Sequence, residues 1–196
     1  YPIHSPFKGK VDEVRIWDVA LTPGQIEDSY SLGAIEFTKE LTEILPEPVD
    51  WVGDMPQVSI DTSVTFTMPI TVNNQSLLNL NDAWVKDRLG AELEVVPYVV
   101  DPPEDPFNET IGEATYYTKG KSEKVFIDWY LDIGAGSTET LTIVAKTDIN
   151  PGGGNKIHQE YTSPDVYELN YGATLTFYVT VAGEDISLVV TTDGLL

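Results

Sequence analysis

Residues Val58–Asn73 read VSIDTSVTFTMPITVN, and the apolar residues Val64, Phe66, Ile70 and Val72 fall on alternate positions. In extended backbone, successive side chains point to opposite faces, so this spacing gathers the apolar groups on one face and leaves threonines on the other. The run predicts one long strand, half buried. Pro69 in its middle lacks a ladder donor, which predicts a sheet edge or a bulge there.

The same alternation recurs on both sides of this strand. Upstream, Ile35–Leu45 (IEFTKELTEIL) reads as an opening strand, although its second half also has a helical reading. PEPVDWVGDMP, with Pro46, Pro48 and Pro56, reads as a turn-rich connection. Downstream, Ala83–Arg88 and Glu92–Val100 flank a turn at Leu89–Gly90–Ala91, and a Pro-rich acidic loop covers Asp101–Asn108. Strands are then expected at Gly112–Lys119, Lys124–Asp132, Thr138–Asp148, Tyr161–Leu169, Ala173–Val181 and Ile186–Thr191, with GAGS and NPGGGN among the links. Short strands at this spacing predict an all-β, antiparallel sandwich. Its core should contain Val64, Phe66, Ile70, Val72, Val125, Ile127, Leu141, Ile143, Leu175 and Phe177.

The N-terminal region has a different grammar. Lys10–Asp18 (KVDEVRIWD) alternates as a strand, with Val14 and Ile16 on one face and Arg15 and Trp17 on the other. LTPGQIEDSY follows. Thr22 suits an N-cap, Pro23 the first helical position, and Gln25 completes a capping box. Leu21 and Ile26 occupy staple positions, so one or two helical turns ending near Gly33 are expected. The chain divides accordingly into residues 1–33 and 34–196. It starts at Tyr1, not methionine, which reads as a processed product or part of a longer protein.

Composition narrows the function. Eleven basic residues against 32 acidic give a net charge of −21, a surface that repels nucleic acid and anionic lipid. Most of that acidity lies beyond residue 33. Cysteine is absent, which excludes disulfides and Cys-ligated zinc and suits a prokaryotic surface protein. No apolar run reaches the length of a membrane-spanning helix.

Two resemblances follow from quoted stretches. FKGKVDEVRIWDVALTPGQIEDSY resembles the end of a laminin-G-like, concanavalin-type jelly roll, whose last strand reads roughly G-x-I-D-E-V-R-I-[YW] and is followed by A-L-[ST]-x-x-E-I. From about Ile35 on, three stretches resemble the immunoglobulin-like repeat domain of archaeal and bacterial surface proteins. These are VTFTMPITVNNQSLLNLNDAWVKDRLGAELEVV, YTKGKSEKVFIDWYLDIGAGSTETLTIVAKTDINPGG and QEYTSPDVYELNYGATLTF. NNQSLLNL departs from that family's N-x-G turn by being longer and glycine-free. The resemblance implies an extracellular spacer, stalk or polymer unit and no catalytic residues.

Candidate sites are few. His4 and His158 are the only histidines, and neither sits in a triad-like context. Carboxylates are too abundant for any pair to single itself out as glycosidase machinery. Asp101, Glu104, Asp105 and Glu109 offer hard oxygen ligands in one short loop, and calcium is the cation they suit. They lack the glycine and spacing of an EF-hand. Asp148, Asn150 and Asn155 form a weaker group. Asn74 and Asn108 head N-glycosylation sequons.

Lys39 and Asn170 could form an intramolecular isopeptide bond, as in some cysteine-free surface sandwiches, with Glu168 as the assisting carboxylate. Two function classes result. One is a non-enzymatic structural subunit of a surface filament, stalk or sheath, whose partners are other copies joined by β-strand addition. The other is a carbohydrate-binding or adhesive module using Trp51, Trp84 and Trp129 against surface glycans.

Overall fold

The computed structural model describes residues 20–48, 50–52, 55–58, 63–90, 93–96, 107–119, 124–147, 171–181 and 183–193. Strand β5 (Thr65–Asn74) is the spine of the first sheet, and its burial alternates without a break, with Phe66, Met68, Ile70, Val72 and Asn74 inward. On one side it pairs antiparallel with β11 (Thr138–Thr147). On the other it pairs with two short strands in succession, β1 (Ile35–Lys39) and β2 (Glu43–Leu45). Strands β7 (Leu93–Val95) and β8 (Asn108–Glu109) pair with β11.

Pro69 therefore lies in an interior strand, not at an edge, and a break in its partner accommodates it. The Pro69 carbonyl accepts from Glu40 N–H at 3.1 Å, and the next contact on that side is Thr42 N–H to Thr67 O at 2.9 Å. A strand residue directs its N–H and C=O to the same side, so the missing donor faces residues 40–42, where β1 gives way to β2. The expected single strand Ile35–Leu45 is interrupted for this reason, and its second half is not helical.

The second sheet runs β13 (Glu184–Thr191), β12 (Thr174–Val181), β6 (Leu80–Arg88), β10 (Lys124–Ile133) and β9 (Glu113–Lys119), all antiparallel. The two sheets pack as a sandwich, and all ten residues expected in the core are buried. Each such side chain contributes about 1.5–3 kcal/mol relative to exposure. Trp129 on β10 is fully buried, and its indole N–H donates to Ile111 O at 2.8 Å. The turn before β9 needs glycine: Gly112 has φ +85°, and a Cβ there would lie 2.2 Å from Tyr130 O.

The turn-rich stretch at PEPVDWVGDMP contains a small two-stranded ribbon, β3 (Asp50–Val52) with β4 (Met55–Gln57). Before the sandwich, helix α1 (Pro23–Ser31) starts as the sequence predicts. Thr22 Oγ1 accepts from Gln25 N–H at 3.3 Å, and Gln25 Oε1 accepts from Thr22 N–H at 2.8 Å. A 3₁₀ turn (Leu32–Ala34) then buries Leu32 in the core, while Ala34 O accepts from Gln75 N–H at 3.1 Å. Ile26 remains more than half exposed. The expected strands Lys10–Asp18 and Tyr161–Leu169 lie outside the described residues.

Candidate functional site

Alternation along β1 turns Ile35, Phe37 and Lys39 to one face, and the third of these is a charge. Along β6 the inward set includes Ala83, Val85 and Asp87. The two strands belong to different sheets, and their inward ends meet across the sandwich. Lys39 Nζ lies 3.1 Å from Asp87 Oδ1, with both side chains fully removed from solvent. The same Nζ donates to the carbonyl of Tyr171.

Tyr171 is held from other directions too. Its N–H donates to Arg88 O at 3.0 Å, and the Arg88 guanidinium carbon sits 3.3 Å over its ring centroid. The pair thus joins β1 of one sheet to β6 and to the chain entering β12 of the other. A buried ion pair is often no more stabilising than well-packed apolar residues of similar volume. Stability alone is therefore a weak reason for this one.

Asp87 went unrecognised in the sequence, where Glu168 was the expected carboxylate beside Lys39. The signal was present: Asp87 is in phase with Ala83 and Val85, as Lys39 is with Phe37. Glu168 and Asn170 lie outside the described residues, as do His4, His158, Asp101, Glu104, Asp105, Asp148, Asn150 and Asn155. Glu109, the fourth member of the acidic loop, accepts from Ala114 N–H through Oε1 at 3.4 Å. Among the described residues, no three His, Cys, Asp or Glu side chains cluster as metal ligands would.

Asn74 corrects the sequon reading. It is completely buried. Its Nδ2 donates to Leu78 O and Gly134 O, both at 2.9 Å, while its Oδ1 accepts from Ser76 Oγ at 2.6 Å and Ser76 N–H at 3.2 Å. The amide a glycan would need is inaccessible in the folded domain, because Asn74 falls on the inward phase of β5. It organises the turn that follows β5. Asn74→Ala is expected to cost about 2–3 kcal/mol by leaving buried polar partners unmatched, read as a lowered denaturant midpoint. Asn108 sits opposite Thr142 on β8, and the hydroxyl of its sequon's Thr110 donates to Glu139 Oε2 at 2.6 Å.

The outer face of the second sheet carries aromatic residues in cross-strand register. Trp84 stacks on Tyr130 with centroids 5.4 Å apart, and Tyr117 stacks on Phe126 at 5.5 Å. Lys86 Nζ lies 3.3 Å from the Trp84 ring centroid, and the Trp84 indole donates to Asp128 Oδ1 at 3.0 Å. Loss of solvent, then the nearby Asp128 and Tyr117, hold the Tyr130 phenol above its ordinary pKa of 10.0. These rings stack pairwise on one another, and Tyr117 and Tyr130 remain partly exposed. Of the three tryptophans expected to stack on glycans, Trp129 is core, Trp84 is engaged in this way and Trp51 is 56% exposed.

No helix among the described residues is long and apolar enough to cross a membrane. The sequence matches no protein-family model and no curated protein. Among solved structures it is similar to one described as the crystal structure of the RrgA Jo.In complex. The identity is 14%, the match covers 71% of this chain and 69% of that one, and the TM-score is 0.39.

Proposed function

We propose that this chain is a non-enzymatic structural subunit of an extracellular surface filament, stalk or sheath, joined to other copies by β-strand addition. The observation that carries this reading is the β13 edge. Its eight residues pair in unbroken register with β12, and no described strand pairs with the outer side. Proteins that stay apart usually blunt such an edge with proline, lysine or a bulge. Here there is none of these: Glu184 and Asp185 at its start are the only charges, and Val189 is 61% exposed.

Because β13 is already paired within its own chain, it serves as acceptor in this scheme, and Lys10–Asp18 is the donor. Head-to-tail addition of this kind propagates without closing. With no cysteine, the stability of the chain does not depend on redox state. Of the two sequons, Asn108 is the one that keeps a glycan reading.

Size measurement by light scattering tests the scheme. The full chain should form species larger than a monomer, increasingly so with salt, since screening relieves repulsion between copies of charge −21. Deleting residues 1–33, or replacing Val189→Lys, should shift the population toward monomer. A full chain that stays monomeric at every salt and protein concentration would refute it.

The second reading, a carbohydrate-binding or adhesive module, draws on the exposed Trp51 and on the tyrosines of the outer sheet face. Mutual stacking of the outer rings counts against it.

A further inference from the structure

We propose that the outer face of the second sheet binds an acidic polysaccharide, one whose sugars carry carboxylates, through Lys86, Arg88, Lys119 and Lys124. This goes beyond a structural subunit and rests on the adhesive reading, to which it gives a ligand class. The bases among the described residues are Lys39, Lys86, Arg88, Lys119, Lys124 and Lys146, and all but the first and last stand on this one face. Strand phase puts them there. Lys86 and Arg88 share the outward side of β6 with Trp84, Lys124 that of β10 with Phe126, and Lys119 that of β9 with Tyr117. Register then closes the group: Lys119 lies opposite Lys124, Tyr117 opposite Phe126, and Phe126 opposite Arg88. The four cations thus frame the stacked Tyr117–Phe126 pair.

None of the four has a carboxylate partner. Ion pairs among the described residues engage Lys39 with Asp87 and Lys146 with Glu94 only. A chain with 32 acidic residues against 11 basic is not short of acids to pair them with. Aromatic rings hold two of them instead. The Lys86 ammonium lies 3.3 Å from the Trp84 ring centroid, and the Arg88 guanidinium carbon lies 3.3 Å from that of Tyr171. Arg88 Nε is buried with no hydrogen-bond partner, so the ring fixes the guanidinium and no bond does. A cation held against a ring face is oriented while its outer N–H groups stay available. Asp128, opposite Lys86, is the one acid in these rows, and it accepts from the Trp84 indole N–H at 3.0 Å. Lys119 and Lys124 are directly opposed, and like charges in that position destabilise a sheet. Folding alone does not account for that pairing; a bound anion does.

The face also selects the chemistry of its ligand. Strands β6 and β10 are interior, so their backbone groups are already paired and offer a peptide no ladder. A sugar needs none, because hydroxyls, ring C–H groups and a carboxylate can all be met by side chains. Thr115 and Thr174 lie on the same row as Asp128 and Lys86, one at each end, and supply hydroxyls. Stacking on one another commits one face of each ring, so the attraction is chiefly to charge and a neutral sugar binds less well. The guanidinium fork matches a planar carboxylate. One charge per sugar also suits a chain of net charge −21, which repels a denser polyanion more strongly. At about 0.1 M salt the Debye length is about 10 Å, so contact with these cations outweighs the screened field of distant acids. Exposed charge pairs are individually weak, and copies arrayed along one polysaccharide gain avidity.

The test is retention of the purified, folded full chain on beads carrying polygalacturonate, neutral galactan or poly-glutamate, in about 0.1 M salt. The expected result is retention on polygalacturonate alone, released near 1 M salt, where the Debye length is about 3 Å. Lys86→Gln, Lys119→Gln and Lys124→Gln combined, confirmed folded by circular dichroism, should weaken binding about tenfold and leave thermal stability unchanged or higher. Lys146→Gln, which removes a cation from the other sheet, should bind like the wild type. No retention of the wild type on polygalacturonate would overturn the proposal, as would a folded triple variant that binds equally well. An equal loss in Lys146→Gln would overturn the assignment to this face. Equal retention on poly-glutamate would give the face to an acidic protein and overturn the glycan. Equal retention on galactan would overturn the role of charge while sustaining the adhesive reading, so the two fail separately.

Discussion

Replacing Asp87 with alanine is expected to lower the unfolding free energy by about 3–5 kcal/mol, among the largest single effects in this domain. The Lys39 ammonium would remain in the interior, where Asp87 Oδ1 is 3.1 Å away and both side chains are inaccessible to solvent. Water cannot reach to replace the carboxylate, and the loss is mostly the penalty of depriving a buried charge of its carboxylate partner. The double replacement Lys39→Met with Asp87→Leu should recover part of that loss, since an apolar pair of similar volume has no desolvation to offset. Comparing these two variants isolates the electrostatic contribution. Urea denaturation followed by circular dichroism reads it. A double variant no more stable than Asp87→Ala would show that packing, not charge, governs this position.

Trp129→Ala should be about as damaging, costing about 3–5 kcal/mol through the cavity left in a fully buried site. Trp129→Phe separates two contributions. It keeps most of the volume but removes the N–H that donates to Ile111 O at 2.8 Å. Its expected cost is about 1–3 kcal/mol, from one lost part-buried hydrogen bond plus a smaller void. That carbonyl sits in the turn just before Gly112, where β9 begins. The phenylalanine variant should therefore also loosen amide-exchange protection along β9 ahead of the rest of the sheet. Uniform loosening would place Trp129's main role in the core instead of the turn.

Much of the architecture was legible because a strand advertises its buried face every second residue. The ten expected core residues are all buried. The capping box at Thr22–Gln25 also formed as read, because a cap is a contact within three residues and needs no tertiary partner. Pro69 was read by the right rule with the wrong outcome. Proline forbids a donor, but only the packed sheet shows that the neighbouring strand, not the end of the sheet, meets that requirement. The β3–β4 ribbon was missed since three residues are too few for alternation to register.

The candidate site divides the same way. Lys39 drew attention in the sequence as a lysine on an opening strand, and strand phase alone, followed strictly, turns it inward with Phe37. Phase likewise turns Asp87 inward with Val85. Phase cannot say that these two inward positions face each other, because β1 and β6 are far apart in the chain and lie in different sheets. Asn74 illustrates the converse: a sequon is a three-residue pattern, whereas access to its amide depends on which face of β5 meets the second sheet. Local chemistry by itself determined strand, cap and turn, for each depends on neighbours in the chain. Tertiary structure alone decided which charge met which, because burial and electrostatic pairing depend on residues that only the packing of two sheets brings together.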